Sequence, residues 1–290
     1  MSVLAPSLQR RLARLRLGSR RVKARAPHGS RGSRYVGSGI EFAEYRTYQS
    51  GDDARRIDPG VLARLDQRVV RERLTDRGLD VTILLDMTAS MAVATKASHA
   101  RGLAAGLLWI ALQEGDRVQL AAFDGDGLSW APTASDRRRS TAALRWLADV
   151  RPSGAATLSH VVRGVGPRLK RGGLLIIISD GWYDDLLPAL RMTMGWDQEI
   201  VFLVVLDPME IDPERLGLGP LRIVDAETGR VLDVDLSHDA IRRRKRFIEV
   251  WHEHLGREVA KSGGRMAVIP THHDLERVLA RDLVRAGVVT

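Results

Sequence analysis

The sequence predicts an α/β domain in which a mostly parallel sheet carries helices on both faces. Three observations predict it. After Gly78, apolar runs rich in β-branched residues recur at VTILLD (81–86), GLLIIISD (173–180) and EIVFLVVLD (199–207). These runs are continuous rather than alternating, the pattern of strands buried on both faces. Segments with helical spacing of apolar residues fall between them, as in a chain that crosses over from strand to parallel strand.

Taken in order, VTILLD is the first strand. Residues 94–114 form a long helix, apolar on most sides in its second half and therefore buried. DRVQLAAFD (116–124) is a strand, and GDGLSWAPT supplies a hairpin partner turning at Gly125–Gly127. Residues 138–149 are an amphipathic helix and 158–171 a weaker one. GLLIIISD follows as a strand. Residues 185–196 are helical, with Pro188 in the first turn, where a missing N–H is tolerated. EIVFLVVLD is the next strand. The rhythm then breaks at 208–236, where LRIVDAETGRVLDVDL reads as a polar β-hairpin insertion turning near Glu227–Gly229. A charged helix (238–262), the strand RMAVIP and a last helix in HDLERVLARDLVRAG complete the fold. The run RRRKR (242–246) is read as the solvated face of its helix, with Phe247, Ile248 and Val250 continuing the packed side.

Ahead of this lie two further parts. Residues 1–34 hold ten Lys/Arg and no acid, while the rest of the chain holds 35 basic and 36 acidic residues. The formal charge of +9 thus belongs to a tail rather than to the fold. Leu8, Leu12 and Leu15 fall at helical spacing in it, which favours a short amphipathic helix docked on the body over a nucleic-acid arm. No aromatic residues interleave the arginines, against single-strand binding. Residues 35–77 form a block expected to pack on the core, and the dense charges Asp52, Asp53, Arg55, Arg56 and Asp58 suggest a buried ion-pair cluster. The main domain is 78–290, with the insertion at about 208–237. Cysteine is absent, which excludes disulfides and thiolate-ligated zinc. No apolar run reaches the roughly 20 residues of a membrane helix, and no secretory h-region opens the chain. A soluble, cytoplasmic protein is expected.

The chemistry gathers at strand ends. VTILL stops at Asp86, followed at alternate positions by Thr88 and Ser90. A second strand ends in Asp180, and Thr157 lies in the loop before a helix. Ligands of open α/β sheets collect outside the carboxyl ends of the strands. Asp86, Thr88, Ser90, Thr157 and Asp180 would therefore meet at one crevice. All five offer oxygen, as a hard cation requires, and so few carboxylates suit Mg²⁺ better than a many-ligand Ca²⁺ cage. Read singly, Asp86 also serves as a cap for the next helix, Asp180 as a turn residue and Thr157 as a helix N-cap. Trp182 and Tyr183, just past Asp180, are expected to be exposed beside the crevice and to suit a protein contact.

The pattern Asp86-Met-Thr88-Ala-Ser90, then Thr157, then Asp180 resembles the metal-ion-dependent adhesion site of von Willebrand factor A domains. Thr88 stands where Ser is usual and keeps the hydroxyl. A closer resemblance covers nearly the whole chain. GIEFAEYRTYQSGDDARRID, ILLDMTASM, DAETGRVLDVD and THHDLERVL are similar to the domain of unknown function 58 family, bacterial proteins with a von Willebrand A-like core. The resemblance implies a Rossmann-like, von Willebrand A-like fold, a bound Mg²⁺ or other divalent cation, and a non-enzymatic role as adaptor or chaperone-like partner of a MoxR-type AAA+ ATPase. A partner's carboxylate would fill the ion's open position. Two other functions compete. ILLDMT with the later SDGWYDD resembles haloacid-dehalogenase-type phosphatases, with Asp86 as nucleophile; that group wants a second acid where this chain has Thr88. Nucleic-acid binding through the tail ranks third.

Overall fold

The computed structural model describes residues 5–19, 43–48, 59–65, 67–73, 78–134 and 136–290. The chain divides into two compact units, one of Met1–Arg25 with Leu79–Thr290, the other of Ala26–Gly78.

In chain order the elements are α1 (Pro6–Leu12), β1 (Ala43–Thr47), α2 (Pro59–Leu65), β2 (Val69–Arg73), β3 (Asp80–Asp86), α3 (Lys96–Gln113), β4 (Arg117–Asp124), β5 (Gly127–Trp130), α4 (Arg137–Asp149), α5 (Leu158–Val165), β6 (Leu174–Ser179), α6 (Leu186–Thr193), β7 (Glu199–Leu206), α7 (Pro208–Ile211), β8 (Gly219–Val224), β9 (Val231–Leu236), α8 (His238–Lys261) and β10 (Arg265–Pro270). The last helical stretch runs through Leu275–Arg277, a π turn at Val278–Asp282 and Leu283–Arg285.

The smaller unit contains α2 and an antiparallel pair in which β1 faces β2, from Ala43 opposite Arg73 to Thr47 opposite Val69. QRVVRERLTD contains the strand Val69–Arg73. The predicted ion cluster of Asp52, Asp53, Arg55, Arg56 and Asp58 lies outside the described residues, as does most of the 39–58 block.

The larger unit is built on a six-stranded sheet of order β10-β7-β6-β3-β4-β5. All pairings are parallel except β4 with the edge strand β5. Strands β3, β6 and β7 are rich in Val, Ile and Leu and are buried along nearly their whole length. Two apolar clusters sandwich the sheet. On one side, Leu103, Leu107 and Ile110 of α3 meet Ile83, Leu85 and Ile176 of the sheet. On the other, Val161 and Val162 of α5, Leu186 and Leu190 of α6, and Leu255 and Val259 of α8 meet Leu84, Ile177 and Phe202. This is the three-layer α/β arrangement that the continuous apolar runs predict.

Two glycines make α3 fit. An added Cβ at Gly102 or Gly106 would come 2.3 Å from Leu275 Cδ1 or Leu279 Cδ1, so the last helical stretch lies on a groove that only glycine leaves open. The N-terminal helix α1 docks on the same side. Leu12 is fully buried, Leu17 pairs with Val289 in an antiparallel bridge, and Trp109 Nε1 donates to the Gln9 carbonyl. Arg11 pairs with Glu276, and Arg16 with Glu114 at 3.2 Å.

The helix expected over 158–171 stops at Val165 and continues as a single 3-10 turn, Gly166–Arg168, because Gly166 and Pro167 cannot extend it. The insertion forms as predicted, with β8 pairing β9 antiparallel from Gly219 opposite Leu236 to Val224 opposite Val231. In α8 the buried residues Ile241, Ile248, Leu255 and Val259 form one stripe. Phe247 and Val250 do not share it: they are 54% and 43% exposed, since one stripe is all that a helix lying on a sheet can bury.

Candidate functional site

The strand order reverses between β3 and β6: from β3 the chain moves outward to β4 and β5, then returns to β6 on the other side. Such a reversal leaves a crevice at the carboxyl ends of the two strands, because the connections that follow them diverge to opposite faces. Asp86 ends β3 and Asp180 directly follows β6, so topology alone brings the two acids to that crevice.

Asp86 is fully buried and each of its oxygens is held by two donors. Oδ1 accepts from Thr88 N at 2.9 Å and Thr88 Oγ1 at 2.8 Å. Oδ2 accepts from Ser179 Oγ and from Tyr183 O–H, both at 2.6 Å. Burial and the charge of Asp180 push the Asp86 carboxyl up to about 6, although these donors pull it down. The Tyr183 phenol is pushed far above its ordinary value, first by burial and then by the Asp86 charge, so it stays a donor.

The hydroxyls are aligned at the rim. Thr88 Oγ1 lies 3.1 Å from Ser90 Oγ. Thr88 is fully buried and Ser90 is partly open. Glu227, at the tip of the β8–β9 hairpin, is partly buried. Burial raises the Glu227 carboxyl, the Thr88 and Ser90 hydroxyls lower it, and the Asp180 charge raises it further.

Asp180 has a resident counter-charge. Lys96, at the first position of α3 and 1% exposed, donates to Asp180 Oδ2 and to Glu210 Oε1, each at 2.9 Å. Burial opposes the ammonium, but the two carboxylates outweigh it and raise the Lys96 pKa. Glu210 is fixed by a capping box: its Oε2 accepts from Asp207 N at 2.7 Å while Asp207 Oδ1 accepts from Met209 N at 2.9 Å. The other Asp180 oxygen accepts from Trp182 N at 3.3 Å.

Thr157 precedes α5 and is exposed. It is not the helix cap: the first N–H groups of α5, at Leu158 and Ser159, donate to Asp185 Oδ1 and Oδ2. Its loop is tied to the strand end by Ser153 N to the Met87 carbonyl at 2.9 Å and Ala89 N to the Gly154 carbonyl at 2.8 Å. The approach is close enough that a Cβ on Gly154 would come 2.7 Å from Gly125 Cα. The structure therefore brings the Thr157 loop against the 86–90 segment, without a direct contact from the Thr157 hydroxyl to Asp86, Thr88, Ser90 or Asp180.

Among the described residues no group of three or more His, Cys, Asp or Glu side chains has a metal-holding arrangement. An ion at this rim would rest on hydroxyls as much as on carboxylates.

The family model "Protein of unknown function DUF58" matches residues 44–254. The chain belongs to the DUF58 family. Among curated relatives of this DUF58 chain are uncharacterized proteins of Mycobacterium tuberculosis (Rv1480, strain H37Rv) and Mycobacterium bovis (Mb1516). Each is 29% identical over 218 residues, which is 72% of this chain and 68% of the relative. Among solved structures, it is similar to the conserved hypothetical protein BatB from Bacteroides thetaiotaomicron, at 17% identity and TM-score 0.45, covering 72% of this chain and 98% of that one. An aerotolerance-related membrane protein from Bacteroides fragilis, carrying multiple mutations to serines, matches at 20% identity and TM-score 0.45 with the same coverage. No helix among the described residues of the DUF58 chain is long and apolar enough to cross a membrane.

Two expectations at the site are corrected. Tyr183 is not an exposed partner contact: it is 8% exposed, because its hydroxyl is turned inward onto Asp86. Trp182 is half-buried, stacked on Phe247 at 6.4 Å between centroids, with the Arg244 guanidinium 4.8 Å from its ring. Arg244 is thus engaged on an aromatic pair rather than standing with a purely solvated basic face. Ser179, Lys96 and Glu210 complete the DUF58 site and were not assigned to it by sequence reasoning. Only Glu210 carried a local signal, the Asp-Pro-x-Glu capping spacing at 207–210. The rest are brought in by topology.

Proposed function

We propose that this DUF58 chain is a non-enzymatic interaction module that holds Mg²⁺ or another divalent cation at the rim formed by Asp86, Thr88, Ser90 and Asp180, and that the ion grips a partner's carboxylate. One observation carries the reading: at the topological switch point, Asp86 and Asp180 stand at the ends of adjacent parallel strands beside the Thr88 and Ser90 hydroxyls, which lie 3.1 Å apart. The donor set suits a hard cation, being all oxygen. The Asp180 charge raises the proton affinity of both Asp86 and Glu227. A divalent ion would relieve that repulsion. When bound, it supplies an electron-poor centre that attracts acidic side chains. The MoxR-type AAA+ ATPase is the partner the family resemblance implies.

The burial of Asp86 speaks against the phosphatase alternative. A nucleophilic carboxylate needs an approachable oxygen, and both Asp86 oxygens already accept two hydrogen bonds. The docking of α1 and the pairing of Arg11 and Arg16 likewise support a structural role for that part of the basic tail.

A second reading has its own observation. Lys96 Nζ, buried against Asp180, is a cation already in place. In this reading the ammonium replaces the ion and the rim binds carboxylates without metal.

Pull-down of a MoxR-type ATPase with and without EDTA, repeated with Ser90→Ala, tests the proposal. Capture that EDTA and Ser90→Ala both abolish supports the metal-dependent module. Capture that EDTA leaves intact supports the Lys96 reading. Phosphatase turnover lost in Asp86→Asn would restore the enzyme alternative.

A further inference from the structure

Helix α8 carries five successive cations, Arg242, Arg243, Arg244, Lys245 and Arg246. Four of them are engaged by carboxylates of this chain. Arg242 and Arg243 both pair with Asp239, one turn earlier, Arg242 at 3.1 Å. Lys245 bridges Asp212 at 2.8 Å and Glu214 at 2.9 Å, and Arg246 reaches Glu249 at 3.5 Å. Arg244 alone of the five has no carboxylate within ion-pair distance among the described residues. The Glu210 carboxylate favours its charge but hydrogen-bonds Lys96 and Asp207 N instead.

Arg244 is held by rings. Its Cζ lies 4.8 Å from the centre of the Trp182 ring and 5.6 Å from that of Phe247, and the two rings stack with 17° between their planes. Stacking uses the face of a guanidinium and leaves the N–H groups on its edge able to donate in plane. Arg244 is exposed, so that edge is open to solvent. Ordering a long side chain opposes association, and here the rings have ordered it beforehand. Phe247 and Val250, three and six positions further along the same helix face, are exposed as well. The surface is a fixed guanidinium with an apolar strip behind it. Trp182 ties it to the crevice, since its N–H donates to Asp180 Oδ1 at 3.3 Å.

We propose that Arg244, seated on the Trp182–Phe247 pair, is the docking anchor for an acidic segment of a partner protein. Its guanidinium edge receives a carboxylate, and an apolar neighbour of that acid rests on Phe247 and Val250. Charge complementarity selects this occupant. A nucleic-acid backbone is bound by many cations at once, and the other four of the run are neutralised within the chain. A carboxylate needs only one planar fork, which it takes bidentately. The contact uses no ion and stands apart from the metal-dependent reading: it adds a second grip beside the crevice.

The test titrates the full chain, in EDTA, into a fluorescein-labelled peptide of alternating Glu and Leu and reads fluorescence anisotropy. A peptide of alternating Gln and Leu is the uncharged counterpart. Wild type is compared with Arg244→Gln, Arg244→Lys and Arg242→Gln, the last removing the same charge from an arginine already paired. Arg244→Gln is expected to weaken binding of the Glu–Leu peptide about tenfold or more, as for an interface anchor, and Arg242→Gln less than about threefold. Arg244→Lys keeps the charge but loses the fork and is expected to resemble Arg244→Gln. Equal losses in Arg242→Gln and Arg244→Gln would reduce the surface to general basic attraction and overturn the anchor. Equal binding of the two peptides, or no binding by wild type, would overturn it too. Displacement of the labelled peptide by a short single-stranded DNA at lower concentration than by unlabelled peptide would make nucleic acid the occupant instead. Thermal melting confirms that each variant is folded. With EDTA present throughout, failure here leaves the ion reading untouched, and ATPase capture in EDTA that Arg244→Gln abolishes belongs to this platform rather than to Lys96.

Discussion

The Tyr183 hydroxyl donates to Asp86 Oδ2 at 2.6 Å, joining the loop after β6 to the end of β3 across 97 positions of sequence. The bond lies where the two strands diverge, so it locks the geometry of the crevice as well as the orientation of one carboxylate. Ser179 donates to the same oxygen, and Gly181 N donates to the Ser179 hydroxyl at 3.0 Å. Asp86 is held from both strands before any ligand arrives.

Tyr183→Phe removes one of four donors and leaves the ring in place. Hydrogen bonds to charged groups contribute about 1.5–3 kcal/mol. The melting temperature is expected to fall by roughly 5 °C, measured by calorimetry, with the fold retained because Thr88 and Ser179 still hold Asp86. An unchanged melting temperature would show that the bond is dispensable.

Lys96→Met leaves Asp180 and Glu210 facing each other without their shared ammonium. Breaking one side of a buried pair costs about 3–5 kcal/mol. A drop in melting temperature of roughly 10 °C is expected. If the rim takes a divalent ion, added MgCl₂ recovers part of that loss in Lys96→Met and shifts wild type less. A variant that melts like wild type without Mg²⁺ would contradict the pairing.

Gly154→Ala places a side chain at φ +57° and a Cβ 2.7 Å from Gly125 Cα. The left-handed backbone alone costs about 1–2 kcal/mol, and the backbone contact forces the two loops apart. Hydrogen exchange of the Ala89 amide, bonded to the Gly154 carbonyl, is expected to accelerate more than that of the central β3 amides. Uniform acceleration across both would mean general destabilisation instead.

Asp116 provides a pH dependence remote from the crevice. Burial pushes its carboxyl from 3.8 up to about 6, while Leu79 N, donating to Oδ1 at 2.7 Å, pulls it down. Between those two values the folded protein holds a proton that the unfolded chain has released. Its contribution to stability therefore declines as pH rises through that window and stays at the lower level above it. Asp116→Asn removes the titration, so the melting temperature of the variant relative to wild type is expected to be higher at pH 7 than at pH 4. An equal difference at both would refute the assignment.

Much of this molecule was written locally. VTILL, LLIII and IVFLVVL allow no surface for water, so each had to become a strand covered on both faces, and with helical segments between them a parallel sheet follows. The end of such a strand is where a carboxylate can first escape burial or be used, which is why Asp86 and Asp180 were legible as site residues from their positions alone. The hairpin was legible too, from Asp225-Ala226-Glu227-Thr228-Gly229 between alternating arms. What the tip of that hairpin touches was not. Sequence patterns report the side of an element that faces the core, and the exposed arms of β8 and β9 carry no such pattern. The inward turn of Tyr183 and the burial of Lys96 between two acids each depend on where crossovers deposit distant loops. Tertiary structure decided these, because a hydroxyl, an ammonium or a carboxylate takes its role from the charges and donors within a few ångströms, and those neighbours are set by the folded sheet rather than by adjacency in the chain.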